Sequence, residues 1–302
     1  MILVAGGTGF VGGGIVRELA RRGKPVAALT RDPAKHSDRF PGLGVELRRG
    51  DVTDPASLAA ALAGVDTVVA SHQFPNSPIE DPKKGYTFEK VDAEGTENLA
   101  RAAKDAGVSR FVYLSGAGAA PDAERHWFRA KWRAESAVRD SGITFTIIRP
   151  SWVFGPEDVA LNRFLGMSRL LPFVPLIGNA GRQRLQPVFV DDVARAVAES
   201  LDNPAAENRT FEIGGPAVLT MKEIVRTALD VAGRRRLLLA APKPVMKLAA
   251  GLLQFAPGRP LTPAAVDFIT TDALADPSEI EAALGIKVTP LREALGTYLS
   301  PS

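Results

Sequence analysis

The chain reads as an α/β protein, a doubly wound parallel sheet with a smaller, mostly helical C-terminal lobe. Three observations predict this. Over the first 150 residues short apolar runs alternate with longer amphipathic ones, the pattern of strands linked by helical crossovers. A glycine-rich loop directly follows the first apolar run. Past Pro150 the alternation loosens, and Gly and Pro become frequent between 155 and 187.

Taken in order, Ile2–Ala5 is a buried strand, followed by a helix over about Val11–Arg22. Pro25–Leu29 and Val45–Arg49 are strand-like, and Pro55–Ala63 is a short helix. Thr67–Ala70 is apolar and β-branched. Residues 88–106 form a long helix with Leu99, Ala102, Ala103 and Ala106 on one stripe. Then come a strand at Arg110–Leu114, a helix over about Ala123–Asp140 and a strand at Thr144–Ile148. Two later pieces look like returns to the sheet: Pro187–Val190, leading into a helix at Asp192–Leu201, and Arg209–Ile213. The division expected is a dinucleotide-binding domain of 1–150 plus 187–214, and a substrate or partner lobe of 151–186 plus 215–302. Ligands of open α/β sheets bind at the carboxyl ends of the strands.

Composition limits the chemistry. Apolar residues make up 45% and charged residues 24% of 302, ordinary for a folded globular chain. The absence of cysteine removes thiolate catalysis, Cys-ligated zinc and iron–sulfur clusters. Three histidines without ligand spacing predict no metal site. A net charge of +3 is too small a margin to argue for nucleic acid. The densest basic run, Arg234-Arg235-Arg236, reads as a solvated turn or strand start. The apolar stretches 164–178 and 237–256 are broken by charges, Pro and Gly, so neither gives the ~20 uninterrupted apolar residues of a span. No charged n-region precedes residues 2–5, so a cytoplasmic protein is expected, with a peripheral inner-membrane contact left open.

The loop GGTGFVG at 6–12 carries the strongest local signal. Gly6 permits the tight turn, Gly9 lets backbone approach a pyrophosphate, and Gly12 allows close packing of helix on strand. The following helix offers free N–H groups to the anion. Thr8, Phe10 and Val11 belong to the same binding loop. A second-strand acid would mark NAD through the ribose hydroxyls. Here that strand ends Leu29-Thr30-Arg31-Asp32, with Lys35 following, so Thr30, Arg31 and Lys35 favour NADP(H), NAD(H) remaining an option. The competing reading is an Arg31–Asp32 surface pair. Asp51 and Val52 at the third strand end are placed to bracket the adenine, with Thr53 or Asp54 capping the next helix. Ala70 and Ser71, ending the fourth strand, complete that side.

These residues resemble the short-chain dehydrogenase/reductase superfamily, in its extended and atypical Rossmann branches. GGTGFVG, GDVTD at 50–54, GTENLARAA at 95–103, FVYLSG at 111–116, IIRPSWVFGP at 147–156 and VFVDDVARA at 188–196 match in order and spacing. LPFVPLIGNAG at 171–181 and the run at 260–269 are similar to the nucleotide-binding accessory subunit of respiratory complex I and its bacterial relatives. The resemblance implies a catalytic Ser at Ser115 and a Y-x-x-x-K pair on one helix, the Lys binding the nicotinamide ribose. Lys131 matches, but Trp127 stands in the Tyr position. Pro150 and Ser151 match the strand end that contacts the nicotinamide.

Indole is a hydrogen-bond donor without acid–base chemistry at neutral pH. General acid–base catalysis contributes about 10²–10⁴-fold, so ordinary ketone reduction would be impaired on that order. Tyr113 lies two residues before Ser115, while Tyr86 and Tyr298 are remote in sequence. His126 and His72 are the histidines nearest the expected crevice. Trp127, Trp152, Phe154 and Phe164 would make either an aromatic substrate wall or plain core. Three functions follow. One is an NAD(P)(H)-binding protein whose cofactor is structural or redox-sensing. The second is an NADPH-dependent oxidoreductase acting on a quinone-like or carbonyl substrate with a non-standard proton donor. The third is an accessory subunit of a membrane respiratory complex, motivated by an amphipathic stripe in 242–256 that packing onto the sheet explains at least as well.

Overall fold

Each of the six apolar runs before residue 150 forms a strand in the computed structural model, which describes residues 1–178, 182–254 and 261–300. These are β1 (Ile2–Ala5), β2 (Val26–Thr30), β3 (Glu46–Arg49), β4 (Thr67–Ala70), β5 (Arg110–Leu114) and β6 (Thr144–Pro150). Later strands are β7 (Val153–Phe154), β8 (Phe173–Ile177), β9 (Arg184–Leu185), β10 (Val188–Phe189), β11 (Arg209–Ile213), β12 (Leu219–Thr220) and β13 (Leu237–Ala241). The helices of the first half are α1 (Phe10–Arg21), α2 (Leu58–Ala61), α3 (Gly95–Asp105) and α4 (His126–Asp140). They continue as α5 (Val159–Leu170), α6 (Val190–Leu201), α7 (Met221–Val231), α8 (Lys243–Leu253), α9 (Pro263–Ile269), α10 (Ser278–Leu284) and α11 (Leu291–Gly296).

Seven strands form one sheet in the order β11-β6-β5-β4-β1-β2-β3, and every pairing in it is parallel. Alternation along each strand divides the core between two faces. Leu3, Ala5, Val68, Phe111 and Tyr113 face the layer of α2, α3 and α4. Ile2, Val4, Val69, Val112 and Leu114 face the layer of α1 and α6. The order reverses between β1 and β4, so the crevice outside the carboxyl ends of these two strands is the switch point where such sheets bind ligands.

The structure corrects three expectations. The helix expected over 88–106 opens instead as a wide π-helical segment, Phe88–Glu94, before α3 begins. Val188–Phe189 does not return to the main sheet. It pairs with Val153–Phe154 in a two-stranded sheet, because the free edge of β6 is already taken by β11. The C-terminal lobe is mostly helical, as expected, and adds two short ribbons, β8–β13 and β9–β12. Finally, Ile280, Leu284, Ile286 and Val288, assigned by sequence to the lobe, pack into the core beside α1 and α6. Asn179, Ala180 and Gly181, like Phe255, Ala256 and Pro260, lie outside the described residues. Among the described residues no helix is long and apolar enough to cross a membrane.

Candidate functional site

The glycine loop is shaped by contacts that exclude side chains. Gly6 has φ +79°, and a Cβ there would sit 2.6 Å from the Cα of His72. A Cβ on Gly12 would lie 2.2 Å from the carbonyl oxygen of Gly6. These two glycines are required by the fold itself. Gly9 differs: an added Cβ would meet only the Gly6 carbonyl oxygen, at 3.2 Å. Its bareness is explained by what lies outside the loop. Gly9 is also the N-cap of α1, with no side-chain cap and no acid in the first turn. The N–H groups of Phe10 and Val11 therefore stand at an open helix N-terminus suited to an anion. The loop fits a dinucleotide pyrophosphate.

At the end of β2 the residues expected to read the adenosine ribose come together. Asp32 does not pair with Arg31. Its carboxylate accepts the Lys35 backbone N–H at 3.2 Å, and its own N–H goes to the Thr30 hydroxyl at 3.3 Å. The competing surface pair is thus absent. Arg31 leans on Tyr86, with its guanidinium carbon 5.8 Å from the ring centroid. Two residues missed by sequence reasoning are close to this end. Tyr86 reaches it from the loop after β4. Arg39 places Nη2 3.4 Å from the Gly9 carbonyl oxygen while pairing with Glu157. No local motif marks either one.

The Asp51–Val52 turn is tied by its own side chains. Asp51 Oδ1 accepts the Thr53 N–H and hydroxyl at 2.9 and 2.8 Å. Asp54 makes no cap for the helical turn that follows. The Ser57 hydroxyl holds that turn instead, accepting the Asp51 N–H at 2.9 Å. Beside the loop, Ala70 is buried and the Ser71 hydroxyl donates to the Ala5 carbonyl at 2.9 Å.

The expected catalytic residues are each engaged by protein. Ser115 is buried, and its hydroxyl donates to Glu135 Oε1 at 2.6 Å. Glu135 is fully buried and held by Arg149 at 2.7 Å and Arg139 at 2.6 Å. Lys131 is buried against Asp92, Nζ to Oδ1 2.7 Å, and its ammonium lies 5.6 Å from the Tyr113 ring centroid. Burial alone would lower the Lys131 pKa, but Asp92 and Tyr113 outweigh it and hold the ammonium protonated. Burial raises Asp92, with Lys131 opposing. Burial pushes the Tyr113 phenol up to about 12, with the Lys131 ammonium beside it opposing.

Trp127 is a core residue. Phe268 of α9 meets its indole at 5.2 Å between centroids, and Phe88 at 6.3 Å. The single aromatic wall does not form. Trp152, Phe154 and Phe164 belong to a separate cluster of the lobe, because α9 supplies Trp127 with Phe268 instead. His126 bonds Glu80 at 2.9 Å, away from a substrate role. Ser151 donates to the Gln186 carbonyl, and its own N–H to that of Ile213 at 3.0 Å, bracing the end of β6 after Pro150.

His72 follows β4 against Gly6 and is buried. The Thr96 hydroxyl donates to the Asp92 carbonyl at 2.6 Å, so the 3.3 Å contact between that hydroxyl and His72 places the ring proton on Nε2. Nδ1 is left as a buried acceptor without a protein partner. Burial first, then the Lys131 charge, lowers the His72 pKa to about 4. Asp92 and Glu135 were not found from sequence. The signal was there: Lys131 and Glu135 lie at four-residue spacing on the same face as Trp127, Ala134 and Val138, which the core claims.

Comparisons with known proteins follow this geometry. A family described as NAD(P)H-binding matches residues 6–204. The chain is 32% identical over 258 residues to the mitochondrial NADH dehydrogenase [ubiquinone] 1 alpha subcomplex subunit 9 of Arabidopsis thaliana. That match covers 83% of this chain and 63% of the relative, so the chain spans less than two thirds of that relative's length. It is 31% identical to an NAD(P)H azoreductase of Xenophilus azovorans, over 78% of this chain and 74% of that protein. The fold is also similar to that of an NADPH-dependent quinone oxidoreductase of Escherichia coli complexed with NADPH. There the TM-score is 0.72 and identity 22%, over 98% of this chain and 99% of that one.

Proposed function

This chain belongs to the NAD(P)H-binding family, and from that premise we infer that it is an atypical short-chain dehydrogenase/reductase that holds NADP(H) without a standard proton relay, as a structural or redox-sensing cofactor. One observation carries the reading: Ser115, Lys131 and Trp127 each spend their side chains on the protein, on Glu135, Asp92 and Phe268 respectively. Arg31, unpaired with Asp32, and Lys35 support the 2′-phosphate of NADP over the bare ribose of NAD. His72 Nδ1 is an acceptor for a cofactor hydroxyl or amide at the inner end of the crevice.

A second reading has a specific motive in the relative named as an azoreductase. Bound nicotinamide supplies two electrons as hydride. A quinone-like or azo acceptor can take its proton from water, so the protein need only bind, orient and exclude competing solvent. A third reading, an accessory subunit of a membrane respiratory complex, draws on the Arabidopsis relative.

The test is NADPH oxidation by the purified chain with panels of aldehydes, quinones and azo dyes, beside calorimetric titration of NADPH. Tight binding without aldehyde turnover is expected. Quinone or azo turnover that survives Ser115→Ala selects the second reading. Aldehyde turnover lost in both Ser115→Ala and Lys131→Ala would defeat the inference.

A further inference from the structure

One surface of the C-terminal lobe is apolar, exposed and edged by arginines. β13 pairs in parallel with β8, Leu237 opposite Phe173 and Leu239 opposite Pro175. Registered residues share a face. The inner face, with Leu238, Val174 and Leu176, joins the lobe's core. The outer face leaves Leu237 69% exposed. Beside the start of β8, Leu170 is 86% exposed at the end of α5. Two residues beyond β13, α8 presents Val245, Leu248 and Leu252 at spacings of three and four. Leu248 and Leu252 are 73% and 74% exposed. Scattered exposed leucines are ordinary, but here the exposed large apolar side chains among the described residues all fall within 159–253, most of them at the end of α5 and on β8, β13 and α8, a concentration that marks an interaction site.

The basic component is built into the same chain segments. Arg169 and Gly233–Arg236 line an open depression of about 690 Å³. Arg169 immediately precedes Leu170, and Arg236 immediately precedes Leu237. Arg236 Nε donates to the Ser168 carbonyl at 2.9 Å, fixing the floor. Among the described residues, none of Arg169, Arg235 and Arg236 pairs with a carboxylate. The run that sequence reads as a solvated turn or strand start leads into β13 and also lines a cationic pocket next to Leu170 and Leu237.

We propose that this face docks on a bilayer containing anionic phospholipid, with phosphate headgroups in the arginine depression and the leucines of β13 and α8 at the headgroup–acyl boundary. Charge decides the occupant. Two copies of this chain docking through the face would bring their arginine clusters together, which like-charge repulsion opposes. An anionic membrane surface meets both features at once: phosphates for the guanidinium forks, and an apolar layer for the leucines. Lys243 and Lys247 are not needed, since both pair with Asp267 on α9. The dock is independent of the cofactor reading.

The experiment is co-sedimentation of the full chain with vesicles of phosphatidylcholine alone and of phosphatidylcholine with phosphatidylglycerol, at low and high salt. Binding to the anionic vesicles only, weakened by salt, is expected. A basic residue near such a surface contributes about fivefold in partitioning, so Arg169→Glu with Arg235→Glu should lower it at least tenfold. Leu248→Ser with Leu252→Ser should lower it independently, with unchanged thermal melting in both variants. Three results would overturn the proposal: no sedimentation with anionic vesicles, sedimentation that neither variant weakens, or a solution dimer dissolved by the leucine substitutions. Binding of glycerol phosphate without vesicle binding would equally overturn it, as a soluble-anion site.

Discussion

Lys131 and Asp92 form a 2.7 Å ion pair in the interior, fastening α4 to the π-helical segment that precedes α3. Both side chains are buried, so removing one partner strands the other charge. Asp92→Asn should cost about 3–5 kcal/mol, and Lys131→Met should also destabilise. The double variant should be more stable than the sum of the two losses predicts. Thermal melts of the four proteins measure this, and strict additivity would mean that the pair carries no coupling.

Acid sensitivity should trace to His72. Its pKa falls from the usual 6.5 to about 4 in the folded chain, through burial and the Lys131 charge. A depressed histidine favours the fold above its unfolded pKa. That contribution is full above pH 6.5 and is lost as pH falls towards 4, by up to about 3 kcal/mol. Urea melts between pH 7 and 4 should therefore show a shallower decline for His72→Asn. Parallel curves for the two proteins would assign the acid loss elsewhere.

The two loop glycines should fail differently. A Cβ at Gly9 meets only one backbone oxygen within the protein, so Gly9→Val should melt near the wild-type temperature yet lose NADPH and NADH alike. Gly12→Ala would drive a methyl against the Gly6 carbonyl and should destabilise the chain. Nucleotide titration and calorimetry on both variants separate these outcomes. Retained affinity in Gly9→Val would remove the pyrophosphate from this loop.

Cofactor choice should rest on Arg31. With Asp32 spent on the Lys35 backbone, the guanidinium is available to a 2′-phosphate. Arg31→Ala should weaken NADPH roughly ten- to a hundredfold, the worth of a charge-assisted hydrogen bond, and leave NADH almost unchanged. Equal loss for both nucleotides would place Arg31 elsewhere on the ligand.

Trp127→Tyr tests the missing acid. The new phenol would sit four residues from Lys131 on one helix face, in a slot shaped for a larger ring. Aldehyde-dependent NADPH oxidation is expected in the variant and not in the wild type. A variant as inert as the wild type would show that Asp92 and Glu135, by claiming Lys131 and Ser115, silence the site independently of residue 127.

The fold was legible in the sequence because its signals are local. Period-two apolar runs, helical stripes and GGTGFVG each act within a few residues, and six of the seven main-sheet strands precede residue 150. The glycine loop was legible because its pattern is local, although part of the reason for Gly6 is long-range, a Cβ there meeting His72. The partners of Ser115 and Lys131 were illegible for the opposite reason. Glu135 is twenty residues from Ser115, and Asp92 lies on a different helical segment from Lys131. Only packing of α4 against the sheet and the π-helical segment makes those charges neighbours. Tertiary structure also separated Trp127 from Trp152, since α9 delivers Phe268 to the first and the lobe core takes the second. The Arg234–Arg236 run changed meaning in the same way. In sequence it is three charges in a turn or strand start, and in the fold it becomes a pocket because α5 brings Arg169 to its rim. Sequence thus determined where a dinucleotide can lie, by local backbone sterics. What the surrounding side chains are free to do was decided by long-range contacts, because a buried charge must take whichever partner the fold places beside it.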